Sequence, residues 1–266
     1  MTWPCLYLDG VGLLGPGLSG WAQACEVLAG RQSYVCAATA LPAAAGLPPA
    51  ERRRVGIPVK LSMAIGLEAA RHAGADSASL ATVFSSTEAD CDNSHAILEA
   101  LASPDPALSP TRFHNSVHNA PSGYWGVATG SMQPSTSLSA YDGTFSAGLL
   151  EAAIQASSSG RPCMLLAYDT TFPEPLRRLR PIPDAMGIAL VLNPCQTPVA
   201  RASLKLTLTD VSATPMPHGD LEGLFQSIPV ARGLPLLYLL AQGRSGSVVL
   251  EYLDTLRLGI EVGHIA

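Results

Sequence analysis

The chain has 266 residues, enough for one large domain or two small ones around a sizeable core. Its 47% hydrophobic and 14% charged residues exclude a disordered chain and leave apolar surface for a partner to cover. The net charge of −5 argues against nucleic acid as that partner, because phosphate binding needs a basic face.

No apolar run reaches the about 20 residues of a membrane span. The N-terminal stretch lacks a basic region before its apolar residues and carries Asp9 within them, so a secretory leader is not expected. A cytoplasmic protein with no membrane span follows. The six cysteines show no CxxC pair, which argues against a structural zinc site, and most read as small core residues, Cys5 and Cys163 within strands. Among the basic residues only Lys60 and Lys205 are lysines, and the clusters Arg52–Arg54 and Arg177–Arg178 read as solvated element ends.

In chain order, residues 5–8 form a buried strand and 20–29 a short helix ended by Gly30. A Pro/Ala/Gly loop spans 42–49. An amphipathic helix covers 61–73, stopped by Gly74, and a strand covers 80–85. Residues 95–102 are helical, Pro104, Pro106 and Pro110 stiffen a loop, and a helix runs from near Asn119 to Thr129. Strand 135–141, helix 144–157, strand 163–167 and strand 185–192 follow. The alternation of helices with near-continuous apolar strands predicts an α/β fold with a buried, mostly parallel sheet. Beyond Pro194 come a strand at 203–209, a helix at 234–241 and one or two strands within 248–262. One domain with a C-terminal extension is expected: residues 1–198, then 199–266 completing the layer.

Two motifs invite a chemical reading. Gly10, Gly12 and Gly15 match GxGxxG after a strand, as a dinucleotide site requires. However, Pro16-Gly17 delays the helix, and residues 31–45 hold no acidic ribose ligand. Gly143-Thr-Phe-Ser-Ala-Gly148 opens a helix after a strand, the setting of a nucleophile elbow. Ser146 could be its nucleophile, with His114 or His118 as base and Asp142 or Asp169 orienting it, although the spacing is GxxSxG. The plainer alternative is helix capping by Thr144 or Ser146. His72 and His95 have no His or Cys one turn away, and His218 stands alone in a loop, so neither metal nor cofactor is expected.

Several blocks together resemble the N-terminal half of the β-ketoacyl synthases, a family of the thiolase fold. They are the glycine-rich start with Trp21 and Leu28-Ala-Gly30, Arg52–Arg54 with the helix through Ala73-Gly74, Ser109-Pro110…Phe113…Val117-His-Asn119…Gly123, and Ser139-Ala-Tyr-Asp-Gly-Thr-Phe-Ser-Ala-Gly148. Phe113-His-Asn-Ser-Val-His-Asn119 with Gly123-Tyr-Trp125 is similar to the chain-length-factor subunits of aryl-polyene pigment pathways. The resemblance places a catalytic cysteine three residues before Gly148, where this chain has Phe145. A phenyl ring forms no thioester. The family's two catalytic histidines belong to a C-terminal half that is largely missing, and only His218-Gly219 is similar to the first.

The resemblance therefore implies a chain without its own catalysis that pairs with a catalytic ketosynthase and meets acyl carrier protein through that complex. Its partner-facing residues would be Arg112, Phe113, His114, His118, Asn119 and Tyr124, with the Phe145 ring behind them, shaping the partner's acyl tunnel. An acyltransferase or hydrolase using Ser146 is the alternative.

Overall fold

The computed structural model describes residues 5–265. Residues 1–4, part of the stretch weighed for a leader, lie outside it. Strand β1 (Leu6–Leu14) is followed by α1 (Trp21–Leu28), α2 (Pro49–Arg52), α3 (Ile57–His72), β2 (Ala81–Ser85), α4 (Cys91–Ala102), α5 (Pro110–Asn115) and α6 (Ala120–Thr129). Then come β3 (Ser135–Leu138), α7 (Thr144–Ser159), β4 (Cys163–Asp169), β5 (Met186–Asn193) and β6 (Ala202–Thr209). The chain continues with α8 (Glu222–Ser227), a 3-10 turn at Pro229–Gly233, α9 (Leu234–Ala241), β7 (Gly246–Glu251) and β8 (Arg257–His264).

The strands form one sheet in the order β3-β2-β4-β5-β1-β6-β8-β7, with helices on both faces. The mixed α/β class is as expected, but the strand directions are not. Only β2 pairs in parallel, with β3 and β4, while the other five pairings are antiparallel. Buried strands are apolar throughout in either arrangement, so direction leaves no mark on their sequence. The middle strands alternate between two cores. On β4, Leu165 faces α7 and the C-terminal helices, and Leu166 faces α3 and α6.

The glycine-rich motif lies inside β1 and serves packing. A Cβ on Gly10 would stand 2.1 Å from the Ala69 carbonyl oxygen, and one on Gly12 2.0 Å from that of Ile65. Only glycine lets α3 lie this close. The Glu68 carboxylate then accepts from the backbone N–H groups of Leu13 (2.9 Å) and Trp21 (2.8 Å), joining β1 to α1.

Strand β6 continues the sheet beyond β1, and Leu224, Phe225, Ile228 and Leu237 bury the α7 side of the core. Cys163 is buried as expected and Cys25 and Cys91 pack partly buried against the same core, but Cys5, Cys36 and Cys195 are exposed, so packing accounts for only half of the six cysteines. Among the described residues no helix is long and apolar enough to cross a membrane, and no cluster of His, Cys, Asp or Glu could hold a metal ion.

Candidate functional site: the head of α7 and the edge beside it

The chain enters α7 from edge strand β3 through a tight turn. Tyr141 takes φ 51°, an unfavourable region for a side chain larger than glycine. Its surroundings hold it there. The Arg180 guanidinium lies 4.1 Å from its ring centroid, and the Thr144 hydroxyl donates to its carbonyl while accepting from Ala140 N–H. Asp142 accepts from Arg180 at 2.5 Å and from Arg232 at 3.3 Å, and Arg232 reaches Glu251 at 2.8 Å. Two arginines thus clamp the turn, Arg180 to the connection between β4 and β5 and Arg232 to the C-terminal segment.

Phe145, in the first turn of α7, is 1% exposed and packs on Gly233. Ser146 is 2% exposed and donates to the Glu251 carbonyl at 2.6 Å. Capping is therefore not its role: its hydroxyl ties α7 to β7. The cap position is Gly143, which provides no side-chain bond. Nearby, the fully buried Asp169 carboxylate accepts from the backbone N–H groups of Thr87 (2.9 Å) and Val230 (2.7 Å). Burial raises its pKa to about 6, and those hydrogen bonds oppose the rise.

A second feature lies on the opposite face, beside the same edge. Asn115 is buried, donates to the Arg54 carbonyl at 3.0 Å and accepts from the Tyr124 hydroxyl at 2.9 Å. It locks α5 onto α6. The His114 ring meets that of Tyr124 edge to face at 6.4 Å, over an open cleft of about 740 Å3 that Arg54, Val117, Asn119 and Val127 also line. Burial, with Glu51 close by, raises the Tyr124 pKa. Phe113, Val117, Val127 and Met132 are exposed at 66%, 50%, 57% and 94%, and β3 has a pairing partner on one side only. The unpaired edge of β3, with exposed Met132 just before it and exposed Val127 on the adjoining α6, is a surface suited to another chain.

Residues 21–226 match the family model described as β-ketoacyl synthase, N-terminal domain. The chain belongs to the β-ketoacyl synthase family. No curated protein matches it. In fold, this ketosynthase-family chain is similar to a chain of the structure titled "Ketosynthase (ApeO) in Complex with its Chain Length Factor (ApeC) from Xenorhabdus doucetiae", with a TM-score of 0.73 and 19% identity over 96% of this chain and 98% of that one. It is also similar to a chain of "The ishigamide ketosynthase/chain length factor", with a TM-score of 0.70 and 12% identity over 98% and 99%. A third is "AntDE:AntF (apo): type II PKS acyl-carrier protein in complex with its ketosynthase bound to the hexaketide", with a TM-score of 0.72 and 10% identity over 99% and 100%.

The structure brings together some of the residues singled out by sequence. His114, Asn119 and Tyr124 line one cleft, with Phe113 and Arg112 exposed on the same helix α5 or its edge. His118 is half-buried, and its Nε2 has no hydrogen-bond partner. Phe145 does not stand behind them. Its ring belongs to the core on the α7 face, and Tyr124 to the core on the α3 face. For the same reason no histidine of α5 reaches Ser146. Sequence reasoning missed Asn115, although it lies within the quoted FHNSVHN block, and it missed Gly233, Arg180 and Arg232, whose partners are distant in the chain.

Proposed function

We propose that this chain is a non-catalytic chain-length-factor subunit that pairs with a catalytic β-ketoacyl synthase acting on carrier-protein-bound acyl chains. The observation that carries the proposal is Phe145. It occupies the position at the head of α7 where the resemblance implies a cysteine, it is buried against Gly233, and its neighbour Ser146 has its hydroxyl committed to Glu251. Acyl transfer through this helix has no nucleophile. The partner surface in this reading is the open edge of β3 with α5 and α6, and Arg112, Phe113 and His114 reach toward the partner's acyl tunnel. Residues 1–198 act as the ketosynthase-like part, and 199–266 complete the layer by covering the α7 face. The named ketosynthase/chain-length-factor structures support the pairing by likeness of fold.

Co-expression with a catalytic ketosynthase and intact-mass analysis after incubation with acyl carrier protein test the proposal. The expected result is a stable complex with an interface above about 2,000 Å2, as permanent complexes have. The acyl adduct should sit on the partner and not on this chain. An adduct on this chain, or no association, overturns it.

A further inference from the structure

Strands β1 and β6 pair only over Leu6–Leu8, and the register of β1 breaks between Leu8 and Gly10. Where they part, a cleft of about 500 Å3 opens between β1, α1, the end of α9 and the end of β8. Its apolar wall includes Leu8, Val11, Trp21 and Leu240. Three arginines (Arg31, Arg201 and Arg244) and two histidines (His72 and His264) also line it, and among the described residues no Asp or Glu does.

In a chain of net charge −5, this is a concentration of positive charge. Arg31 is satisfied by Glu26 through two 2.8 Å bonds. Arg201 and Arg244 are exposed and form no ion pair among the described residues. Arg31 and Arg201 both bring positive charge to the Cys25 thiol in the cleft wall, and Glu26 and Glu68 behind it oppose them. The His264 ring lies against Gly243, the residue before Arg244, which brings the β8 end to the α9 end. β1 lies four strands from edge strand β3, about 19 Å at the usual strand spacing, so the cleft is separate from the proposed partner surface.

We propose that this cleft binds a small phosphomonoester carrying a short apolar body. Two unpaired guanidinium forks match the charge and geometry of a dianionic phosphate, and the apolar wall takes the rest of the ligand. The volume is that of an ordinary small-molecule site.

Hexyl phosphate is the probe, titrated calorimetrically into the chain as it purifies, alone or with its partner. Saturable binding is expected, with inorganic phosphate, hexanoate and hexanol each about tenfold weaker or more. Arg201→Ala and Arg244→Ala should each weaken it about tenfold or more, as loss of a charge-assisted hydrogen bond does. Ligand-dependent change in tryptophan emission, lost in Trp21→Phe, reports the same site independently of the arginine variants. Absence of saturable binding, indifference to both arginine changes, or equally tight binding of inorganic phosphate or hexanoate overturns the proposal. None of these readings depends on a ketosynthase, so they stand or fall separately from the proposed subunit role.

Discussion

The Phe145 ring lies flat on Gly233: a Cβ added to Gly233 would stand 2.6 Å from Phe145 Cζ and 2.7 Å from both Cε atoms. The two residues are 88 positions apart, and their contact closes the space at the head of α7. Gly233→Ala should therefore overpack this core and cost about 1–3 kcal/mol in chemical denaturation. Phe145→Cys should cost about 3 kcal/mol by leaving a cavity. It should also remain free of acyl adduct by intact mass, since residue 145 is buried in the closed core at 1% exposure and faces no open cleft. A stable, acylated Phe145→Cys protein would contradict this account of the site.

Asp142 carries two arginines, and all three side chains are only 21–28% exposed. Asp142→Ala leaves both cations without their shared carboxylate and should lower stability by about 1–3 kcal/mol. The double change Asp142→Ala with Arg180→Ala should lose less than the sum of the singles. A double-mutant cycle from urea unfolding checks this, and additive losses would show that the clamp contributes nothing.

The Asp169 carboxyl is raised from 3.8 to about 6 by burial, so the fold favours its neutral form. That contribution is complete below about pH 3.8 and is lost as pH rises through 6, by about 3 kcal/mol. Asp169→Asn removes the titration. Stability of the unmodified chain, measured against this variant, should therefore fall between pH 4 and pH 6.5, and a constant difference across that window would rule the burial effect out.

Val127 is exposed on α6 beside the open edge of β3. Val127→Glu should leave the melting temperature of the chain within a few degrees of its original value, as surface changes do. It should abolish co-elution with a co-expressed ketosynthase, because a charge would be buried unpaired at the interface. Retained co-elution would move the partner surface elsewhere.

Phe113 is 66% exposed, so within this chain it is not a core residue. As a wall of the partner's acyl tunnel it would act by sterics, where one extra methylene costs about 1–3 kcal/mol, or about a tenfold slowing per 1.4 kcal/mol. Phe113→Ala should lengthen the products of the reconstituted complex and Phe113→Trp should shorten them, with early condensations little changed. An unchanged product distribution at normal complex yield would remove Phe113 from that role.

Local pattern was enough for much of the fold. The 3.6-residue period and Gly74 marked α3, the apolar run marked β4, and Leu234–Ala241 emerged with the bounds seen for α9. The spacing to Gly148 identified Phe145 as the residue at the head of α7, and the order of the blocks carried the family. These features are written in neighbouring residues, so the sequence by itself determined them. Tertiary structure decided the rest. Sequence had already set Gly10 and Gly12 aside as a nucleotide motif, but their role came only from α3, whose Ala69 and Ile65 carbonyls occupy the space a Cβ would need. Ser146 read as a nucleophile or a cap until the Glu251 carbonyl, 105 residues away, takes its hydrogen bond. The antiparallel pairings, the Gly233 seat for Phe145 and the separation of Tyr124 from Phe145 by the sheet also had no local signature. Each depends on which distant segments the core brings into contact, and burial selects those partners by shape and hydrogen-bond satisfaction, which no stretch of neighbouring residues records.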